Sequence, residues 1–167
     1  FAESAERQRD LIALSHRLAI LPRIARIDAP ATIVMEYVAG DEGLTVANAE
    51  RAGRALRLLH AQPGFPHPCH TGVGWLLDLA GERLAPLGRC DSLAAEVEAS
   101  YPTDALIHSE PQQIIERPDG SIVFIDFEQC GMGSHYQDLA QVLYSATKDE
   151  QPELYPRFLA GYAPELG

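Results

Sequence analysis

With 167 residues the chain has a natural length for one domain with a buried core, and 46% apolar with 22% charged residues is the balance of an ordinary globular protein. A formal charge of −11 argues against the basic face that phosphate backbones need, and so against nucleic acid as a partner; it is compatible with a cationic substrate, and equally with solubility through net charge. No apolar run is long enough to cross a bilayer, and three scattered cysteines (Cys69, Cys90 and Cys130) fit a reducing cytoplasm better than a disulfide framework.

Leu11, Leu14 and Leu18 recur at helical spacing, which predicts an amphipathic helix over 1–18 that exits at Pro22. Glu3 and Glu6 lie on it, where acids are also favoured by the helix dipole. Two strands follow at 24–28 and 32–37, joined at Ala29-Pro30. The run from Met35 to Gly40 ends the second one and, on its own, reads as an edge strand closing in a glycine turn. The clearest helix covers 45–60: Val46, Ala49, Ala52, Gly53, Leu56 and Leu59 form one apolar side, and charged residues occupy the other. His60 closes it and reads as a hydrogen-bonded structural residue.

Residues 62–74 hold three prolines and three glycines and form a loop. Within it, His67, Cys69 and His70 offer metal ligands that His60 or Cys90 would complete, although the spacing matches no standard structural zinc pattern. Helices are predicted from Trp75 to about Pro86, and again after Ser92, an N-cap residue, toward Tyr101.

The most informative stretch comes next. A short apolar strand at 105–107 delivers His108, Ser109 and Glu110 into a loop. A second strand at 113–116 leads to Pro118-Asp119-Gly120, whose residues each favour a turn for a different reason. A third strand at 121–125, rich in β-branched residues, ends by presenting Asp126, Phe127 and Glu128. Gly131 and Gly133 are expected to loosen the chain before a helix begins near His135; a last helix covers 154–162. Two carboxylates, Glu110 and Asp126, thus stand at strand ends in one hairpin unit. That arrangement suits phosphoryl transfer, in which one carboxylate orients the attacking hydroxyl and another holds magnesium on the phosphates.

The ordered set His108-Ser109-Glu110, Pro118-Asp119-Gly120, Ile125-Asp126-Phe127-Glu128 and Asp138-Leu139-Ala140 resembles the aminoglycoside phosphotransferase and choline kinase family, relatives of the protein kinases. The resemblance implies an α+β, protein-kinase-like fold. Residues 1–40 would be the remnant of a truncated small lobe, and 41–167 a mostly helical large lobe built around the small β-hairpin catalytic unit. It further implies ATP and Mg²⁺ as cofactors and a small-molecule hydroxyl as acceptor. Glu110 would be the catalytic carboxylate and His108 would tie its loop to the backbone near Asp126. Asp126 and Gln113 would hold the metal, Asp138 would anchor the catalytic loop, and Glu36, Tyr37 and Val38 would receive the adenine. Glu128 would face the substrate.

The departures from the family pattern are specific. Ser109 replaces its Gly and Glu110 its Asp, and the loop is two residues short, so that Gln113 falls where the metal-binding Asn stands. No glycine precedes Gly40, and the sole lysine, Lys148, follows the metal motif. The chain alone is therefore expected to bind Mg·ATP weakly. A pseudokinase scaffold is the alternative reading, and a metal-binding module on His67, Cys69 and His70 a second.

Overall fold

The computed structural model describes residues 5–28, 32–63, 65–69 and 103–164. Helix α1 (Ala5–Arg17) buries Leu11 and Leu14 and ends as the chain turns toward Pro22. Strands β1 (Ile24–Asp28) and β2 (Thr32–Met35) pair antiparallel, with Asp28 opposite Thr32 and Ile24 opposite Met35. The predicted strand at 32–37 thus stops two residues early, and Glu36 to Ala39 run on without regular structure.

Residues 45–48 form a turn, in which the Asn48 side chain accepts from the Thr45 backbone N–H and donates to the Gly43 carbonyl. These side-chain bonds compete with helical ones, so the helix predicted from 45 starts four residues later, as α2 (Ala49–His60). Its buried face carries Ala49, Ala52, Gly53, Leu56 and Leu59, as the periodicity required. That face packs on helix α4 (Leu154–Tyr162) at very short range. A Cβ on Gly53 would run into the Phe158 carbonyl oxygen, and one on Gly161 into that of Glu50, so only glycines permit the crossing.

Two small antiparallel sheets carry the informative stretch. Strands β5 (Ile114–Glu116) and β6 (Ile122–Phe124) form a hairpin that the two-residue β3 (Asp41–Glu42) extends. Its turn is closed by the Asp119 carboxylate, which accepts from the Ser121 N–H at 2.9 Å. Strand β4 (Ala105–Ile107) pairs instead with β7 (Gly131–Gly133), residue 105 opposite 133. This corrects the expectation that Gly131 and Gly133 loosen the chain. They form a strand, and glycine is needed at 131 because a Cβ there would strike the Pro68 and Cys69 backbone, which crosses the outside of β7. Helix α3 (His135–Lys148) follows directly.

Cys69, Ala105 and Ile107 form a second, smaller core cluster; the main one joins α1, α2, β4 to β6, α3 and α4, with Phe124, Phe127 and Phe158 among its largest wholly buried side chains. Burial of each such ring contributes about 1.5–3 kcal/mol. Among the described residues no helix is long and apolar enough to cross a membrane. The helices predicted over 75–86 and after Ser92 lie outside the described residues.

Candidate active site

The loop between β4 and β5 is held from behind. Asp138, wholly buried on α3, accepts the backbone N–H of His108 through Oδ2 and that of Ser109 through Oδ1, both at 2.8 Å. The Nε2 of His60 lies 2.9 Å from the same Asp138 Oδ2, and its Nδ1 lies 2.7 Å from the Tyr162 hydroxyl. A carboxylate only accepts, so the ring donates from Nε2 to Asp138; in the neutral ring Nδ1 is then the acceptor, and the tyrosine donates to it. Three helices therefore converge on two amide groups of one loop. Desolvation, followed by the Asp138 and Asp104 charges, pushes the Tyr162 pKa up to about 12.

His108 is itself buried, stacked obliquely on Phe124 at 5.1 Å. Its Nδ1 accepts from the Glu110 N–H at 3.3 Å, which places the proton of the neutral ring on Nε2. Burial lowers the His108 pKa; the charges of Asp138 and Asp126 and the Ile125 and Glu110 backbone pull the other way without prevailing. Ser109 takes φ of 79°, in the left-handed region, at the position where the family pattern has glycine.

The chemically useful groups sit at the front of this scaffold. The Glu110 carbonyl accepts from the Gln113 N–H at 2.9 Å, and the Gln113 carbonyl accepts from the Ile125 N–H at 3.0 Å. Those bonds tie the Glu110 loop to the residue before Asp126. Asp126 is exposed, with φ of 61°, and caps the short 3-10 turn Phe127–Gln129. Among the described residues neither the Glu110 nor the Asp126 carboxylate has a hydrogen bond or an ion pair. Gln113 immediately precedes β5, and its neighbour Gln112 buries Oε1 without a hydrogen-bond partner among the described residues. The donors available here are carboxylate and amide oxygens, the set that suits Mg²⁺.

At the other predicted segment, the Glu36 N–H donates to the Arg23 carbonyl at 2.9 Å and its side chain accepts from Arg117. The Glu36 carbonyl and the Val38 N–H have no hydrogen-bond partner among the described residues. Tyr37 is 92% exposed and Val38 buried.

Glu6 is exposed, as an acid favoured there by the helix dipole alone would be; the residue that turns inward at this level of α1 is Arg7, which donates to the Cys130 carbonyl at 2.8 Å and the Pro68 carbonyl at 3.3 Å. Spacing gives no hint of this, because Arg7 lies beside polar residues. In the His67 loop, His67 bonds the Asp10 carboxylate at 2.7 Å and the Cys69 thiol donates to the Gln129 carbonyl. No cluster of three or more metal-ligating side chains occurs among the described residues; His70 and Cys90 lie outside them. The part played by Tyr162 was also missed, since it joins His60 across 102 residues of sequence and no local pattern marks it.

Two small sheets, a hairpin ending in an acid and a loop anchored by a helix aspartate define a kinase-like phosphotransferase fold. The model of the phosphotransferase enzyme family matches residues 2–167, and the chain belongs to that family. Among solved structures it is similar to an aminoglycoside-3′-phosphotransferase of type VIII (21% identity, TM-score 0.62, 95% of this chain and 74% of that one). It is similar also to an ethanolamine kinase from Plasmodium vivax (19%, TM-score 0.67, 96% and 58%) and to an AMP-bound spectinomycin phosphotransferase (14%, TM-score 0.60, 98% and 68%). At these identities the likeness speaks for the fold. No curated protein matches the chain.

Proposed function

We propose that the chain carries the catalytic and metal-binding side of an ATP-dependent phosphotransferase that acts on a hydroxyl of a small, cationic molecule. The supporting observation is a contrast: His108 and Ser109 are fixed by buried bonds, while Glu110 in the same loop and Asp126 after β6 have carboxylates with no partner among the described residues. Glu110 accepts the proton of the acceptor hydroxyl as its oxygen attacks the γ-phosphorus and the bond to the leaving ADP oxygen breaks. His108 holds the Glu110 backbone through Nδ1 and does not touch substrate. Asp126 and Gln113 would hold Mg²⁺, which supplies charge neutralisation on the phosphates.

The Glu36 carbonyl and Val38 N–H, without partners among the described residues, offer an acceptor and a donor two residues apart. Adenine presents the complementary pair, an amino donor beside a ring-nitrogen acceptor. This segment would also mark the division between 1–40 and 41–167. A charge of −11 and relatives named for aminoglycosides and ethanolamine favour a substrate bearing amines.

The test is ATP turnover against a panel of amino alcohols and aminoglycosides. The expected result is saturable transfer to one of them, with kcat reduced about 100-fold or more in Glu110→Gln. Equal turnover in the variant would remove Glu110 from this role. One observation favours a second reading, a binding module without turnover: Glu110 and Gln113 stand where the family pattern has Asp and Asn. Nucleotide binding with no transfer to any acceptor would select it.

A further inference from the structure

A cavity of about 440 Å³ opens between the end of α1, the following loop and the β5–β6 hairpin. It is lined by three arginines (Arg17, Arg23 and Arg117) with one acid, Glu36, and neither Glu110, Gln113 nor Asp126 reaches it. Three of the chain's 13 basic residues thus converge on one concavity in a protein with 24 acids.

Nothing in the fold uses all three. The other polar lining groups are already satisfied: Ser15 Oγ donates to the Ile12 carbonyl and accepts the Ile24 N–H, and His16 donates from Nε2 to the Ile24 carbonyl. Arg117 is shared with Glu36 at 3.2 Å. The guanidinium groups of Arg17 and Arg23 have no hydrogen bond or ion pair among the described residues, although the Arg23 backbone carbonyl accepts the Glu36 N–H. Arg17 has an ordinary reason to sit in the last turn of α1, where a cation complements the helix dipole. That reason does not extend to Arg23 or Arg117, which come from a loop and from the hairpin turn. Two unpaired guanidiniums and a third held by one exposed contact, facing a common space, are arranged to receive paired oxygens.

We propose that this cavity binds a compact ligand carrying two or more anionic oxygen groups, phosphate or carboxylate, separate from the Asp126 site. Its occupation would compete with Glu36 for Arg117. The loop beneath it also holds the strand that leads to Asp126, since the Ile20 carbonyl accepts the Phe124 N–H at 2.8 Å.

Calorimetric titration of the full chain with pyrophosphate and, separately, citrate tests this, at low salt and without divalent metal so that the acidic Asp126 site repels both probes. One-site binding of at least one probe is expected, weakening with added salt. The pyrophosphate and citrate arms distinguish a phosphate from a carboxylate ligand. Arg17→Gln and Arg23→Gln should each weaken binding about tenfold or more. Arg54→Gln, a charge change elsewhere on the surface, should leave it unchanged. Failure of both probes to bind overturns the proposal, as does binding that Arg54→Gln weakens as much as Arg23→Gln, or that persists in the Arg17→Gln/Arg23→Gln double variant. Because the assay uses neither ATP nor an acceptor, its outcome is independent of the transferase reading.

Discussion

The back and the front of the His108–Asp126 region are built on opposite rules. At the back, Asp138, His60 and Tyr162 come from three helices and leave no freedom to the His108 and Ser109 amides. Asp138 and the His60 side chain are buried and Tyr162 is half-buried, and each bond satisfies a donor that would otherwise be costly to remove from water. At the front, Asp126 is exposed in a left-handed backbone conformation, and among the described residues neither its carboxylate nor that of Glu110 is paired. The molecule places its buried polar network where it fixes a loop, and on the proposed reading the two carboxylates are left for a ligand. Preorganised backbone with unpaired acids is what phosphoryl transfer requires, because that reaction is catalysed mostly by positioning and charge.

That contrast can be broken from the back most forcefully. Asp138→Ala strands two buried amides and the His60 ring, and a loss of about 3–5 kcal/mol in urea unfolding is expected. A loss under about 1 kcal/mol would mean that the network is dispensable.

Tyr162→Phe removes one hydrogen bond and should cost about 1 kcal/mol. It should also alter the alkaline limb of stability. The folded pKa of about 12 lies above the ordinary tyrosine value of 10.0, so the folded state keeps a proton that the unfolded state gives up. Stability is therefore unaffected by this group below pH 10 and falls as pH rises from 10 towards 12. In Tyr162→Phe the decline over that window should be shallower.

The left-handed Ser109 offers a gain instead of a loss. Ser109→Gly relieves the positive φ at the expense of chain entropy, and a net stabilisation of about 0.5–1 kcal/mol is expected in the same unfolding assay. The smallest effect belongs to the front. Asp126→Asn should change stability by no more than about 0.5 kcal/mol, since its exposed side chain has no hydrogen bond or ion pair among the described residues. A larger destabilisation would place Asp126 among the structural residues and erase the distinction between front and back.

The sequence makes much of this visible, and the reasons are physical. Short strands with β-branched residues and turn chemistry located β4 to β6, because those signals are local. The helix aspartate at 138 was recognisable as an anchor from its family pattern, and it does hold the His108 loop. What could not be seen depends on contacts between distant segments. Gly131 looks like a flexible joint until the Pro68 and Cys69 backbone is found pressed against it. Arg7 reads as a solvent-facing residue, yet it is 4% exposed and bonded to carbonyls 61 and 123 residues away. The late start of α2 has a local cause, the Asn48 side chain, that helical periodicity overrides on the page but not in the chain.

The division of labour between the two front carboxylates is the central claim, and metal binding tests it most directly. Mn²⁺ can stand in for Mg²⁺ and its binding be followed by paramagnetic resonance, with and without ATP, in the wild-type chain, Asp126→Asn and Glu110→Gln. The account predicts that nucleotide-dependent Mn²⁺ binding, however weak in the wild type, disappears in Asp126→Asn and survives in Glu110→Gln. Binding that survives in Asp126→Asn, or that is lost in Glu110→Gln, would contradict it.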